Sequence, residues 1–444
     1  MNSAIAARLD TQFPDTATTP RATLLQASPL LCCICALLFF GVLAFGAVEE
    51  WSISILEVGL AVLFLVWASR QAASGVVNIQ PSPLYAPALL FAAVVTVQLG
   101  LNITSYRYMT FIAALEYLGY GILLFLTVNS VVNENSTKTI IWSLTVFGFI
   151  LAIFAIVQDL TSNGRIYWLR TLHNGGWIFG PYVNHDHYAG LMEMLAPIPI
   201  VVSLSSLVHG GKRMLVGFAG VVMSGTIVLS QSRAGTASFL AEIALLLGIV
   251  LSKRKKGRGA AAVAVVSLLV FAFVAWVGTG AVWHRLSDLR DEMRFAMMKD
   301  GLRMFWHQPV LGWGLGTFTT VYPRFRSFYT NFFVNAAHND YVQMLDDVGI
   351  IGFAAAVWFI VAVYRSGLRN ADGWKRNWSR ALGLSVLIGC TGLLVHSAFD
   401  FNLQIPANAC FFYFLCGVTT RTARLPEMAA QHAPQRENRA IAIL

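Results

Sequence analysis

Charge is what this sequence has least of. Asp, Glu, Lys and Arg make up 12% of its 444 residues, about half the share usual in a soluble domain. That shortage excludes a freely soluble globular protein, because half of the expected polar coat is missing. Cysteine is scarce as well. The six cysteines, Cys32, Cys33, Cys35, Cys390, Cys410 and Cys416, all fall inside apolar runs. This excludes a paired external disulfide framework and a thiolate metal site, and leaves them as small packing residues. No internal repeat and no low-complexity segment stands out.

What is present in quantity is apolar length. Hydrophobic residues account for 57% of the chain, in runs near the roughly 20 residues that a membrane-spanning helix needs. Such runs fall near 30–48, 52–68, 84–102, 111–131, 139–158, 188–208, 213–230, 235–252, 259–281, 347–365, 380–399 and 404–420. The expected fold is therefore all-α: a polytopic membrane protein of about 12 transmembrane helices. The expected organisation is a cytoplasmic tail (1–28), a membrane domain (29–420) and a second cytoplasmic tail (421–444). The first span is too long, and lies too far from the start, for a cleaved signal peptide.

The net charge of +9 follows that topology rather than a nucleic-acid surface. With both tails inside, inward segments hold 20 of the 31 Lys and Arg, including Lys253-Arg254-Lys255-Lys256 and Arg258. The outward segments hold 11, seven of them in the long stretch 282–346, and long loops are largely exempt from the positive-inside bias. Nucleic acid is thereby excluded as a partner.

Two outward loops carry the sequence detail. Residues 159–187 bring Tyr167, Trp168, Trp177 and Tyr182 up to the run GPYVNHDHYAG. Residues 282–346 are too long to be structureless. Their first half reads as an amphipathic helix, with Leu286, Leu289, Met293, Met297 and Met304 at helical spacing. Pro309 ends that helix, and GWGLGTF forms a glycine-rich turn. The helix either lies on the membrane surface or roofs a cavity.

Ionisable groups at membrane depth are costly and mark function. Glu57, Glu116, Glu193 and Glu242 lie in or near spans, and a richer set collects at the outward ends: Asn184, His185, Asp186, His187, Arg233, Arg303, His338, Asn339, Asp340, His396 and Asp400. Arginine offers a fixed fork of donors suited to phosphate, so Arg233 and Arg303 on one face suit a diphosphate; snorkelling to the interface is the alternative for each. A neutral imidazole such as His338 suits removal of a proton from an attacking hydroxyl. His396 and Asp400, four residues apart, share a helix face; the carboxylate either orients the imidazole or the two cap the helix end. His185 and His187 are spaced to lie on different sides of a helix, and no acidic or thiol cluster near them completes a site, so no metal is expected. A helix cap by Asn184 or Asp186 is the better reading. Gly349 and Gly352 would let the helix after His338 pack closely on a neighbour. The outward aromatics, Trp313 among them, suit either an interfacial belt or stacking on sugar rings.

These residues resemble the O-antigen ligase and polymerase superfamily of bacterial membrane glycosyltransferases. His338-Asn339, nine residues, then Gly349-Ile350-Ile351-Gly352 match the spacing of the ligase signature. SQSRAGT resembles the family's short arginine loop, RMFWHQPVLGWGLGTF its second arginine with the glycine turn, and VNHDHYAG and HSAFDFNLQIPANA are similar to further family segments. The resemblance covers roughly 170–415. It implies a GT-C-like fold and an inverting, metal-independent transfer, without cofactor, at the periplasmic face of the bacterial inner membrane. Arg233 and Arg303 would hold the diphosphate of an undecaprenyl-diphosphate-linked glycan. His338 would deprotonate or orient an acceptor hydroxyl on lipid A–core. Asn339, His185, His187, His396, Asp400 and Trp313 would contact substrate, and membrane lipid would surround the helices. A polymerase extending O-antigen or exopolysaccharide would use the same chemistry. A solute transporter of the bicarbonate type would instead need repeats and broken helices near the midplane; polar groups gathered at one face favour the enzyme.

Overall fold

The computed structural model describes residues 28–172, 176–252, 289–331 and 333–431. It is all-α, and its described residues contain short isolated bridges in the 161–184 loop but no strand. The helices run in chain order as α1 (Pro29–Leu43), α2 (Glu50–Ser74), α3 (Tyr85–Gly100), α4 (Arg107–Ser130), α5 (Glu134–Leu160), α6 (His185–Leu195), α7 (Pro197–Leu204), α8 (Gly210–Leu229) and α9 (Arg233–Ser252). After the gap come α10 (Leu289–His307), the single turn α11 (Phe318–Val321), α12 (Asp340–Arg369), α13 (Trp378–His396) and α14 (Pro406–Gln431).

Among the described residues, eight helical segments are long and apolar enough to cross a bilayer, with α6 and α7 counted together, and α1 and α3 are shorter apolar helices. The protein is therefore a multi-pass membrane protein. The expected span at 259–281 lies outside the described residues, as do most of both expected tails. The last helix continues past 420, and Arg421, Thr422 and Ala423 are buried.

Two segments form the centre of the bundle. In α6–α7, 83% of the apolar window is buried, and in α13 72%, against 17% in lipid-facing α2. Apolar burial gives no net drive between helices already in lipid, so close packing of small residues matters more. A β-carbon on Gly389 of α13 would lie 2.8 Å from the Met194 backbone in α6. One on Gly235 of α9 would lie 2.7 Å from Ala189 of α6. Thus α6, α9 and α13 meet almost backbone to backbone, and all three end on the face that carries the site.

That face is closed by its loops. Tyr167 Oη donates to the Leu43 carbonyl at 2.7 Å, and the Ser105 amide donates to the Trp313 carbonyl at 2.7 Å. Helix α10 roofs the face rather than lying free. Met297 and Met304 are buried with Phe318, Val321, Tyr322 and Ala337 in a small core of their own. Asp300, fully buried, accepts from the Ser327 amide (2.8 Å) and hydroxyl (3.0 Å).

The expectation that Gly349 lets α12 pack on a neighbouring helix is corrected in kind. Gly349 has φ +64° and breaks α12. The 309–314 segment pairs with the break through Trp313 N to Asp346 O (2.8 Å), Gly314 N to Asp347 O (3.1 Å) and Ile350 N to Pro309 O (2.8 Å). The backbone groups freed at the break are thus satisfied by a loop, as burial in a bilayer protein demands.

Candidate functional site

The site is built on two helix ends tied together. At the end of α13 the chain keeps winding, so that the Asp400 amide donates to the His396 carbonyl at 3.1 Å. The start of α12 is fastened to this turn: the Asp340 amide donates to the Ser397 carbonyl (2.9 Å), and Asn339 Nδ2 to the Ala398 carbonyl (2.9 Å). Asn339 Oδ1 caps α12 by accepting from the Tyr341 and Val342 amides, each at 3.0 Å. Its amide is thereby committed to the fold.

This strap fixes His338, which sits at φ +50°. A non-glycine residue pays about 1 kcal/mol or more for such a backbone, so the surrounding bonds must hold it there. His338 Nδ1 donates to Asp400 Oδ1 at 2.9 Å, leaving Nε2 for a substrate. Asp400 is fully buried. Burial alone would raise its pKa, yet the His338 hydrogen bond, the neighbouring imidazoles and Arg294 hold it well below the usual carboxylate range. With its pKa depressed, the stability Asp400 contributes is complete above the unfolded value of about 3.9 and is lost only as pH falls through the folded value. The carboxylate stays ionised wherever the enzyme can be assayed.

The other predicted groups fall into place around this pair. His187 Nε2 lies 3.8 Å from Asp400 Oδ2, and both His187 and His338 set their rings edge-on to Phe401 at 4.8 Å. His185 opens α6 with Nδ1 3.8 Å from Asp186 Oδ1, and its ring lies 5.0 Å from that of Trp177. Asn184 caps α6 by accepting from the Asp186 amide at 2.9 Å, as the sequence suggests. Arg233, half-buried, opens α9 beside the first turns of α6.

Three expectations change. Asp400 makes its imidazole hydrogen bond to His338 rather than to His396; the His396 imidazole bonds Glu193 Oε1 through Nδ1 at 2.8 Å. Trp313 Nε1 donates to the Met304 carbonyl at 2.9 Å and packs on Phe325, which makes it a brace of the roof. The acidic cluster that seemed absent around the histidines exists: donor atoms of Asp186, His396 and Asp400 lie within 4.8 Å of one another. Three donors are the minimum of a metal centre, although Arg294 already supplies positive charge there, its Nη2 being 3.5 Å from Asp186 Oδ2.

Arg294 is the residue that sequence reading missed. It donates to the Phe399 carbonyl (3.4 Å) as well as approaching Asp186. Arg303 lies nine residues further along α10, about 13.5 Å at 1.5 Å per residue. Its side chain is 54% exposed, with Nη1 3.5 Å from Asp300 Oδ1. A signal for Arg294 was present: spaced three and ten residues from Met297 and Met304, it shares their helical face, where an arginine is out of pattern.

A strained histidine locked by a buried aspartate, with arginines on the adjoining helices, narrows the family, and a family model decides it. It matches residues 218–357 under the description O-antigen ligase. Over these residues the chain is similar to the O-antigen ligase family. The family is enzymatic, and the matched segment contains Arg233, Arg294, Arg303, His338 and the broken helix at Gly349. Asp400, His187, Glu193 and His396 lie outside it, so the O-antigen ligase segment is completed by α6 and by the turn after α13. No curated protein matches the chain.

Proposed function

We propose that the protein is an inverting O-antigen ligase-type glycosyltransferase. It moves a glycan from undecaprenyl diphosphate to a hydroxyl of lipid A–core at the periplasmic face of the bacterial inner membrane. The observation that carries this reading is the His338–Asp400 pair. A neutral imidazole whose Nδ1–H is held by a buried carboxylate presents the lone pair of Nε2, as a general base requires.

The acceptor oxygen attacks the anomeric carbon while its proton passes to His338 Nε2. The bond from that carbon to the diphosphate oxygen breaks, and the electron pair leaves with the lipid diphosphate. Arg233 and Arg303 hold its charge, which is often the largest catalytic contribution. No metal is needed for this departure once the charge is held. The starts of α6, α9 and α12 share the face, so their positive dipole ends add to the field.

Asp400→Asn removes the ionised partner and no longer holds the imidazole in the tautomer that presents the Nε2 lone pair. Transfer is expected to fall about 10²- to 10⁴-fold, following the behaviour of base-orienting aspartates, as read by product formation from purified lipid-linked donor. Arg303→Gln is expected to raise the KM for the donor about tenfold, equivalent to about 1.4 kcal/mol of binding, and to lower kcat as well, because the charge on the departing diphosphate grows in the transition state. An unaltered donor KM would remove Arg303 from the diphosphate site.

A deletion strain examined by lipopolysaccharide gel tests the acceptor. Core without polymer supports the ligase, core bearing one repeat indicates a polymerase instead, and an unchanged ladder contradicts both.

A further inference from the structure

Beneath the pair that faces substrate lies a second pair that the proposed reaction leaves unused. Glu193 and His396 are both fully buried, come from α6 and α13, and are joined by a 2.8 Å hydrogen bond between Oε1 and Nδ1. Among the described residues, His396 Nε2 has no hydrogen-bond partner, and neither has Asp400 Oδ2. The donor atoms of His396, Asp186 and Asp400 nevertheless lie within 4.8 Å of one another. With Nδ1 committed to Glu193, Nε2 is the His396 atom left for these carboxylates, and a bare lone pair beside them in a medium of low dielectric would be repelled, so the stable arrangement puts hydrogen on Nε2.

We propose that Glu193 and His396 form a positioning layer under the acceptor site: Glu193 fixes the His396 ring, and the Nε2–H of His396 holds Asp400 so that its other oxygen orients His338. The inference rests on reading His338–Asp400 as the acceptor-activating pair. The result is a relay of alternating carboxylate and imidazole, Glu193, His396, Asp400, His338, running from the bundle interior to the substrate face. The backbone follows the same order, since the Phe399 and Asp400 amides both donate to the His396 carbonyl, at 2.8 and 3.1 Å.

Other charged and titratable groups face this layer from each packed element. Asp186, His185 and His187 come from α6. Glu242 comes from α9, where its carboxylate crowds Gly392 of α13. Arg294 reaches in from α10. Asp340, from α12, takes the Leu403 amide at 3.0 Å and braces the turn that carries Asp400. In this arrangement Arg294 serves Asp186, while His187, with Nε2 3.8 Å from Asp400 Oδ2, and His396 both face that oxygen of Asp400. His396 touches no reacting atom and acts only through Asp400.

A double-mutant cycle in proteoliposomes tests this, using His396→Leu, Asp400→Asn and the combination. Because His396→Leu strands a buried carboxylate, Glu193→Gln/His396→Leu serves as the second variant, and thermal unfolding checks that each protein is folded. The expected result is a fall in kcat of about 10- to 100-fold for either His396→Leu protein, with donor KM unchanged. Adding His396→Leu to Asp400→Asn should produce no further fall, as for residues acting as one unit. His396→Gln, which keeps a donor at similar reach, should recover part of the rate. Losses that multiply in the combination, a change confined to donor KM, or one equivalent of divalent metal in the purified protein would each overturn the proposal. Full activity of Asp400→Asn would instead refute the reading of the His338–Asp400 pair, which keeps the two failures apart.

Discussion

Replacing Gly349 with alanine is expected to cost about 3 kcal/mol or more of stability, at the severe end of single substitutions. Two independent penalties combine there. At φ +64° an L side chain is strained whatever the space. An added β-carbon would also lie 2.4 Å from the Val310 carbonyl oxygen and 2.6 Å from the Gly312 nitrogen. Both are backbone atoms of the loop whose hydrogen bonds close the break in α12, so neither can rotate away. The measurement is thermal unfolding of the detergent-solubilised protein. Gly225, where a β-carbon meets nothing within 4 Å among the described residues, supplies the control: Gly225→Ala should leave the midpoint unchanged or slightly raised. An unchanged midpoint for Gly349→Ala would contradict the account of the helix break.

His338→Asn is expected to lower transfer about 10²- to 10⁴-fold, the range over which general-base catalysis contributes, while the protein stays folded. Asparagine is chosen because it accepts the left-handed backbone at φ +50° more readily than most residues. The loss then reports chemistry rather than relief or creation of strain. An acceptor-site base should affect kcat with little change in donor KM. Wild-type rates in the Asn variant would remove His338 from the reaction.

Much of this was readable before the fold. Eight of the apolar runs coincide with helices long and apolar enough to span among the described residues, because lipid leaves a chain no other way to satisfy its backbone. The cap at Asn184, the stop at Pro309 and the glycine turn after it were legible because each depends on local backbone chemistry. The partnerships were not. His338 and Asp400 are 62 residues apart, and Glu193 and His396 are 203 apart, distances over which spacing carries no information. Proximity in sequence pointed to His396 as the imidazole that Asp400 orients, whereas the hydrogen bond of Asp400 goes to His338. Arg294 was passed over as one more basic residue of an amphipathic helix, although it and Asp300 interrupt the face that carries Met297 and Met304. Charges on an apolar face were the clue to the roof and its reach into the site.

The most direct test of the central claim is the anomeric configuration of the product. Purified protein in proteoliposomes would be given undecaprenyl-diphosphate-linked glycan and lipid A–core, and the new linkage read by NMR. Direct attack by a hydroxyl activated at His338 predicts a linkage of configuration opposite to that in the donor. Retention of configuration would exclude a single direct displacement, and would contradict the mechanism built on His338 and Asp400.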